Sequence, residues 1–97
     1  MPAGYVIGQI AIDDQEAYEK YRAGVPATVA KYGGEYLVRG GQQQGMEGDE
    51  PLGRSVVLRF PSYQRAMEWY NSEDYASLKA LRQSASHGNL VIVEGAD

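Results

Sequence analysis

Short runs of β-branched and apolar residues predict four strands. The first run, Tyr5–Ile12, is mostly apolar on both of its alternating faces, so we expect both faces to be covered. Later runs at Glu35–Arg39, Arg54–Phe60 and Asn89–Glu94 predict strands two, three and four. Residues Gly40–Gly53 are rich in Gly, Gln and acids and therefore predict a long polar loop between strands two and three.

Helical periodicity fills the segment between the first two strands. Apolar and aromatic residues recur there every three or four positions, at Tyr18, Tyr21, Val25, Val29 and Tyr32. Asp13 is the predicted N-cap, with Glu16 three residues later as in a capping box. Pro26 predicts a kink, and Gly33-Gly34 predicts the end of the helix.

Two further helices are predicted between strands three and four. Ser62 is the expected N-cap of the first, and Asn71 is expected to end it in the left-handed conformation. Ser72 would then cap the next helix. The predicted buried stripe of that helix comprises Tyr75, Leu78, Leu81, Arg82 and Ala85.

The resulting order, β-α-β-β-α-β, predicts one α+β domain over residues 1–97 with ferredoxin-like topology. Right-handed crossovers place the helices on one face of a four-stranded antiparallel sheet. The other face is expected to carry Tyr5, Ile7, Val57, Arg59, Val91 and Val93, or the alternate positions of these strands if the register differs. Such an apolar surface needs a cover, so we expect a homodimer in which two sheets pack face to face.

Composition narrows the function classes. The net charge of −4, with scattered Lys and Arg, argues against nucleic acid as a partner. The chain has no Cys, which excludes disulfides, thiolate metal sites and metal chaperones that use Cys-x-x-Cys. No signal peptide and no membrane span are expected, and a soluble cytoplasmic protein is the default expectation.

Several motifs carry a resemblance to a known family. In chain order they are Tyr18-x-x-Tyr21, Lys31-Tyr32-Gly33-Gly34, Arg39-Gly40-Gly41, Glu47-Gly48, Phe60-Pro61-Ser62, Trp69-Tyr70-Asn71-Ser72-x-x-Tyr75, Leu81-Arg82 and Val91-Ile92-Val93-Glu94-Gly95. Together they resemble the bacterial family called domain of unknown function 1330, over about Gly4–Gly95.

The resemblance implies a member of the dimeric α/β-barrel superfamily, in which two four-stranded sheets close face to face. Relatives in that superfamily include cofactor-free monooxygenases, lactone isomerases and haem enzymes. The family has no agreed reaction, so the resemblance supplies no catalytic residues, and a shared fold does not itself imply a function.

Trp69, Tyr70, Asn71 and Tyr75 form the densest group of candidate ligand-binding residues. One interpretation is a helix–helix corner that satisfies unpaired backbone groups and buries the aromatic rings. The other places Tyr70, Asn71 and Tyr75 at the mouth of a pocket between the sheet and the helices. Tyr75 would also be a candidate catalytic residue there.

Two arginines are candidate anion ligands. Arg39, at the end of strand two, could hold a carboxylate in a bidentate pair, or it could pair with Glu47 across the loop. Arg59 would need an acid or a bound anion if it points into the barrel. The Gly40-Gly41 pair that follows Arg39 indicates a turn or bulge.

His87, the only histidine, is predicted between the third helix and strand four. It is either an exposed loop or helix-end residue or a general base. The acidic group Glu47, Asp49 and Glu50 is typical of a solvated loop tip. We predict no metal and no cofactor. Two hypotheses remain. One is a cofactor-free enzyme acting on a small organic molecule, for example an aromatic or keto acid, in a pocket between the sheet and the helices. The other is a non-catalytic small-molecule-binding or interaction dimer.

Overall fold

The structure is a computed structural model that describes residues 2–97. Its elements in chain order are β1 Gly4–Ile12, α1 Gln15–Lys31, β2 Glu35–Arg39, β3 Arg54–Phe60, α2 Tyr63–Tyr70, α3 Glu73–Ala85 and β4 Ser86–Glu94. The predicted α+β class and the βαββαβ order are confirmed, with two short helices in the second crossover. The predicted bounds of β2 and β3 also agree with the structure.

One antiparallel sheet contains all four strands in the order β2-β3-β1-β4. This is the ferredoxin-like order, in which each crossover skips one strand position. Tyr5 lies opposite both Arg59 and Val93, so the alternation of side chains is shared across the three strands. The predicted division of β1 into two faces is confirmed, because Val6 and Ile10 are buried and Ile7 is exposed.

β4 begins three residues earlier than predicted, at Ser86, because α3 passes into the strand without a loop. Ser86 lies opposite Ile12 and His87 lies opposite Ala11. The prediction that His87 sits between helix and strand was therefore wrong: it belongs to β4. Gly88 makes this early pairing possible, because its φ of +156° and its approach to the Gln9 carbonyl leave no room for a side chain.

Helix α1 is capped by Asp14 and not by Asp13, so the predicted cap was wrong by one residue. The Asp14 carboxylate accepts a hydrogen bond from the Ala17 N–H at 3.1 Å. The Asp13 carboxylate is instead engaged by His87. The helix runs through Pro26 to Lys31, and Gly33, with φ +79°, ends it as predicted.

At the corner between α2 and α3, the N-cap residues are the predicted ones, but α2 ends in a different backbone conformation from the predicted one. The hydroxyl of Ser72 accepts from the Tyr75 N–H at 3.2 Å and donates to the Trp69 carbonyl at 2.8 Å. Asn71 has φ −95°, so the predicted left-handed stop was wrong. A left-handed residue is not needed here, because Ser72 already satisfies the carbonyl of Trp69.

The core lies between the helices and the sheet. Its largest fully buried side chains are Trp69, Tyr75, Phe60 and Val29. The Trp69 ring centroid lies 4.2 Å from that of Tyr75 and 5.4 Å from that of Phe60. The indole N–H of Trp69 donates to the Thr28 hydroxyl at 3.0 Å, which satisfies its polar end inside the core.

No part of residues 2–97 covers the apolar side chains on the opposite face of the sheet. Ile7, Val91 and Val93 are 40%, 53% and 43% exposed there, and Leu37 and Val38 on β2 are also exposed. Among the helices in residues 2–97, none combines the length and apolar character needed to cross a membrane.

Candidate functional site

A cavity of about 40 Å³ lies between α1 and the helix-covered face of the sheet. This is room for about three water-sized groups, so it suits a very small molecule or one end of a larger one. Its apolar wall comprises Val6, Val25, Val56, Leu58, Trp69 and Leu90. Its polar lining comprises Tyr18, Tyr21, Tyr36, Arg22, Arg39 and Arg54.

Three arginines from three elements converge on this cavity: Arg22 of α1, Arg39 of β2 and Arg54 of β3. The lining drawn from residues 2–97 contains no Asp or Glu. Of these three arginines, Arg22 alone has an acid of the described residues within salt-bridge distance, with Glu19 Oε1 at 3.7 Å on the exposed side of α1. The electrostatic character of the cavity is therefore cationic.

The contacts of Arg39 and Arg54 leave donor groups unused. The guanidinium of Arg39 donates to the Arg22 carbonyl at 3.0 Å and lies 4.5 Å from the Tyr36 ring centroid. The guanidinium of Arg54 lies 5.9 Å from the Tyr18 ring centroid, and its Nε is buried without a hydrogen-bond partner among residues 2–97. Buried donors are nearly always satisfied, so the unpaired Nε of this lining residue calls for an acceptor outside residues 2–97, such as a water molecule or a ligand.

Gly40 explains part of the Arg-Gly-Gly motif. Its φ is +70°, and its N–H donates to the Ser55 carbonyl at 2.8 Å. A Cβ at this position would lie 2.6 Å from the Arg54 guanidinium carbon, which is too close for any real side chain. Gly41 has nothing within 4 Å of an added Cβ. Only the first glycine is thus required by the position of Arg54.

A chain of hydrogen bonds runs from α3 to the cavity. Arg82 Nε donates to the Tyr75 hydroxyl at 3.3 Å, and that hydroxyl lies 2.8 Å from the hydroxyl of Tyr21. Burial, and after it the neighbouring Tyr75, raises the pKa of Tyr21 well above its usual value. Burial also raises the pKa values of Tyr18 and Tyr36. All three phenols are therefore neutral at physiological pH and can donate hydrogen bonds.

The predicted site residues divide into three groups. Arg39 and Trp69 line the cavity, and Tyr75 reaches it through the hydroxyl of Tyr21. Tyr70 and Asn71 lie outside its lining. Asn71 closes α2 at the corner, as the first interpretation of that segment expects.

Arg59 lies on the opposite face of the sheet. Its guanidinium is 3.7 Å from Glu35 and 4.0 Å from the Asp97 carboxylate, so it already has acidic neighbours. The alternative pairing of Arg39 with Glu47 is not formed in the described part of the chain, where Arg39 contacts Arg22 instead.

His87 lies outside the cavity, near the start of β4, where it lines a separate open pocket with Tyr70 and Arg82. Its Nδ1 is 3.0 Å from both carboxylate oxygens of Asp13, and both side chains are more than half exposed. The fold thus brings Asp13 next to His87, although the two residues are far apart in the sequence. The pair lies at the protein surface. Residues 2–97 contain no group of three or more His, Cys, Asp or Glu side chains suited to a metal ion.

The prediction from sequence missed Arg22, Arg54, Tyr18, Tyr21 and Tyr36 as lining residues. One signal could have found Arg54, since its alternation with Val56 and Leu58 puts it on the helix-covered face. No comparable signal marks Arg22, because its position depends on how α1 lies over the sheet.

Solved structures share this fold. The RPA0582 protein from Rhodopseudomonas palustris, described as of unknown function, superposes with a TM-score of 0.80 at 16% identity, covering 99% of this chain and 84% of that one. A methylated form of RPA0582 gives a TM-score of 0.80 at 15% identity, with 99% and 82% covered. SnoaB from Streptomyces nogalater, a cofactor-independent oxygenase, gives 0.63 at 10% identity, covering 100% of this chain and 96% of SnoaB.

The family model described as domain of unknown function 1330 (DUF1330) matches residues 3–96. The chain belongs to this family, which confirms the resemblance that the sequence motifs indicated. No match was found among the curated proteins compared.

Proposed function

We propose that this protein binds a small organic anion in the cavity between α1 and the sheet, and acts on it without a tightly bound cofactor. One observation carries the proposal: three arginines meet in a cavity to which residues 2–97 contribute no carboxylate, and none of these residues offers an acceptor to Arg54 Nε. A carboxylate would supply that acceptor and offset the local charge.

The small size of the cavity limits the ligand. About 40 Å³ accommodates a carboxylate with a few further atoms, while a larger body would extend past the half-exposed Arg22 at the rim. Aromatic and apolar walls would contact the body of the ligand, and the guanidinium groups would hold its charge. Small aromatic or keto acids fit this description.

Binding is tested first by thermal unfolding and calorimetry with benzoate, pyruvate and inorganic phosphate. Benzamide and pyruvamide serve as neutral counterparts. A ligand at a hundred times its Kd stabilises the folded state by about 2.7 kcal/mol, which raises Tm measurably. Stabilisation by neutral and anionic forms alike, or by neither, would contradict the proposal.

Variants locate the site. Arg54→Gln is expected to weaken carboxylate binding about 10- to 100-fold, as for loss of a charge-assisted hydrogen bond. Arg65→Gln is the control, because Arg65 lies on α2 beside Glu68 and outside the cavity. Loss of binding in Arg59→Gln, with Arg54→Gln unaffected, would move the site to the opposite face of the sheet.

A non-catalytic binder is the second candidate function, and the cavity lining favours it in one respect. The lining residues from the described chain include no His, Asp or Glu that could act as a general base. The two candidates differ in outcome: an enzyme converts the bound acid to a product that mass spectrometry detects, whereas a binder returns the acid unchanged. SnoaB shows that this fold can host cofactor-independent oxygenation, but shared fold alone does not assign that reaction here.

A homodimer is part of the proposal. The uncovered apolar side chains Ile7, Val91 and Val93 form a surface that a second copy, related by two-fold symmetry, would bury. Light scattering after size exclusion should give about twice the chain mass of 10.6 kDa. A stable monomer at micromolar concentration would contradict this assembly.

A further inference from the structure

Tyr21 has a particular place in the cavity lining, because among the described tyrosines that line the cavity it is the one whose hydroxyl is joined to a buried hydrogen-bond chain. Tyr21 is 8% exposed, and Tyr75 behind it is fully buried. Arg82, at the far end of the chain, is 9% exposed. The proton arrangement of this chain decides what Tyr21 can offer a ligand.

The direction of the chain follows from donor and acceptor counts. The Nε–H of Arg82 can only donate, so the Tyr75 oxygen accepts from it. The Tyr75 hydroxyl then has one hydrogen to place, and its other hydrogen-bond neighbour is the Tyr21 oxygen at 2.8 Å. Donation from Tyr75 to Tyr21 satisfies the fully buried Tyr75 hydroxyl and leaves only the Tyr21 hydrogen to be placed. The opposite direction would leave the Tyr75 hydrogen without an acceptor inside the core, which is costly.

The consequence concerns the hydrogen of Tyr21. Because the Tyr21 oxygen accepts from Tyr75, its own hydrogen is free for another acceptor. Tyr21 lines the cavity, and the other polar side chains there are arginines and neutral tyrosines. An oxygen atom of the bound molecule is therefore the natural acceptor. The cation at Arg82 strengthens the donation by polarising the chain.

We infer that Tyr21 donates a hydrogen bond to a second oxygen of the ligand, so that the cavity selects oxo acids over simple carboxylic acids. The arginines hold the carboxylate, and the Arg82–Tyr75–Tyr21 chain presents a donor to a carbonyl or enolate oxygen. Tyr75 and Arg82 are positioning residues, since they act only through Tyr21. This inference rests on the proposed anion site and specifies its ligand class.

The test compares pyruvate with propionate, which has the same carbon chain without the oxo group. Wild-type protein should bind pyruvate about 2- to 12-fold more tightly, the range expected for one net hydrogen bond. Tyr21→Phe should bring this ratio close to one. Tyr75→Phe and Arg82→Gln should reduce the ratio, and Tyr63→Phe, at an exposed tyrosine outside the cavity, should preserve it.

A second measurement does not depend on affinity ratios. In protein labelled with ¹³C at the Cζ atoms of tyrosine, the resonance of Tyr21 is the one that is missing from the spectrum of Tyr21→Phe. Pyruvate should change the chemical shift of this resonance more than propionate does. A larger shift at Tyr18 or Tyr36 would overturn the inference, as would an unchanged ratio in Tyr21→Phe. Equal binding of pyruvate and propionate, with neutral amides still rejected, would overturn this inference but leave the anion site intact. Failure of every anion to bind would refute the proposed function itself.

Discussion

The two faces of the sheet are built from similar side chains but differ in what covers them. On the helix-covered face, Val6, Ile10 and Leu58 are at most 4% exposed. On the other face, Ile7 and Val91 are 40% and 53% exposed. The comparison teaches that the alternation of apolar residues indicates which surfaces need a cover. It does not indicate whether the cover comes from the same chain.

The covered face should dominate the stability of the chain. Trp69→Ala is expected to lower the free energy of unfolding by about 3–5 kcal/mol, because it removes a fully buried ring and leaves Thr28 without its donor. Val91→Ala should cost less than about 1 kcal/mol in dilute, monomeric protein, because Val91 is half exposed. Urea denaturation measures both. Comparable losses of unfolding free energy in the two variants would contradict the expected difference between the two faces of the sheet.

The uncovered face should dominate assembly. Ile7→Lys places a charge at the centre of the apolar surface, and two-fold symmetry brings it into the interface twice. We expect the Kd of the dimer to rise about 100-fold, since each buried charge costs at least about 1.4 kcal/mol. Sedimentation equilibrium measures this constant. Gln64→Lys on the exposed side of α2 adds the same charge and should leave the dimer intact.

The cavity on the covered face can be probed without removing an arginine. Gly40→Ala is expected to cost about 1–3 kcal/mol of stability from its left-handed backbone, and to displace the Arg54 guanidinium. Benzoate affinity should fall several-fold in calorimetry. Gly41→Ala is the matched control, since its Cβ meets open space. Equal effects of the two substitutions would show that Arg54 does not need the space above Gly40.

The smallest effect on stability is expected from contacts on the outer surface of the helices. Asp74 accepts hydrogen bonds from Lys31 at 2.9 Å and Tyr32 at 3.0 Å, and these lower the pKa of its carboxyl group. A lowered pKa stabilises the folded state above the usual value of 3.8, and this stabilisation is lost as pH falls through the lowered pKa. Urea midpoints at pH 6 and pH 3 should therefore differ less in Asp74→Asn than in wild type. An identical difference between the two urea midpoints in both proteins would show that the hydrogen bonds of Asp74 do not stabilise the folded state.

Much of the fold could be predicted because its signals are local. Strands β2 and β3 have the predicted bounds, since the polar loop between them and the alternation within them mark both elements. The start of β4 could not be predicted in this way. Residues Ser86–Gly88 resemble a turn in composition, and their strand conformation depends on pairing with residues 10–12 of β1.

The site was harder to predict than the fold for the same reason. Arg39 and Trp69 could be proposed because each stands beside a recognisable motif, and both line the cavity. Tyr21 reads in the sequence as one more member of an apolar helix stripe. Its role depends on a hydroxyl contact with Tyr75, which is 54 residues away in the chain. Such polar contacts across the core leave no periodic pattern.

The loop from Gly40 to Gly53 joins two arginines of the cavity. Both terminal glycines have positive φ, and each leads into a cavity arginine, Arg39 before the loop and Arg54 after it. Residues 41–52 contain no helix or strand and are mostly exposed. A library that keeps the two glycines and randomises the residues between them would vary the segment that joins two cavity arginines while preserving the arginines themselves. The loop is in this sense an exchangeable module that evolution or a designer can replace without rebuilding the domain.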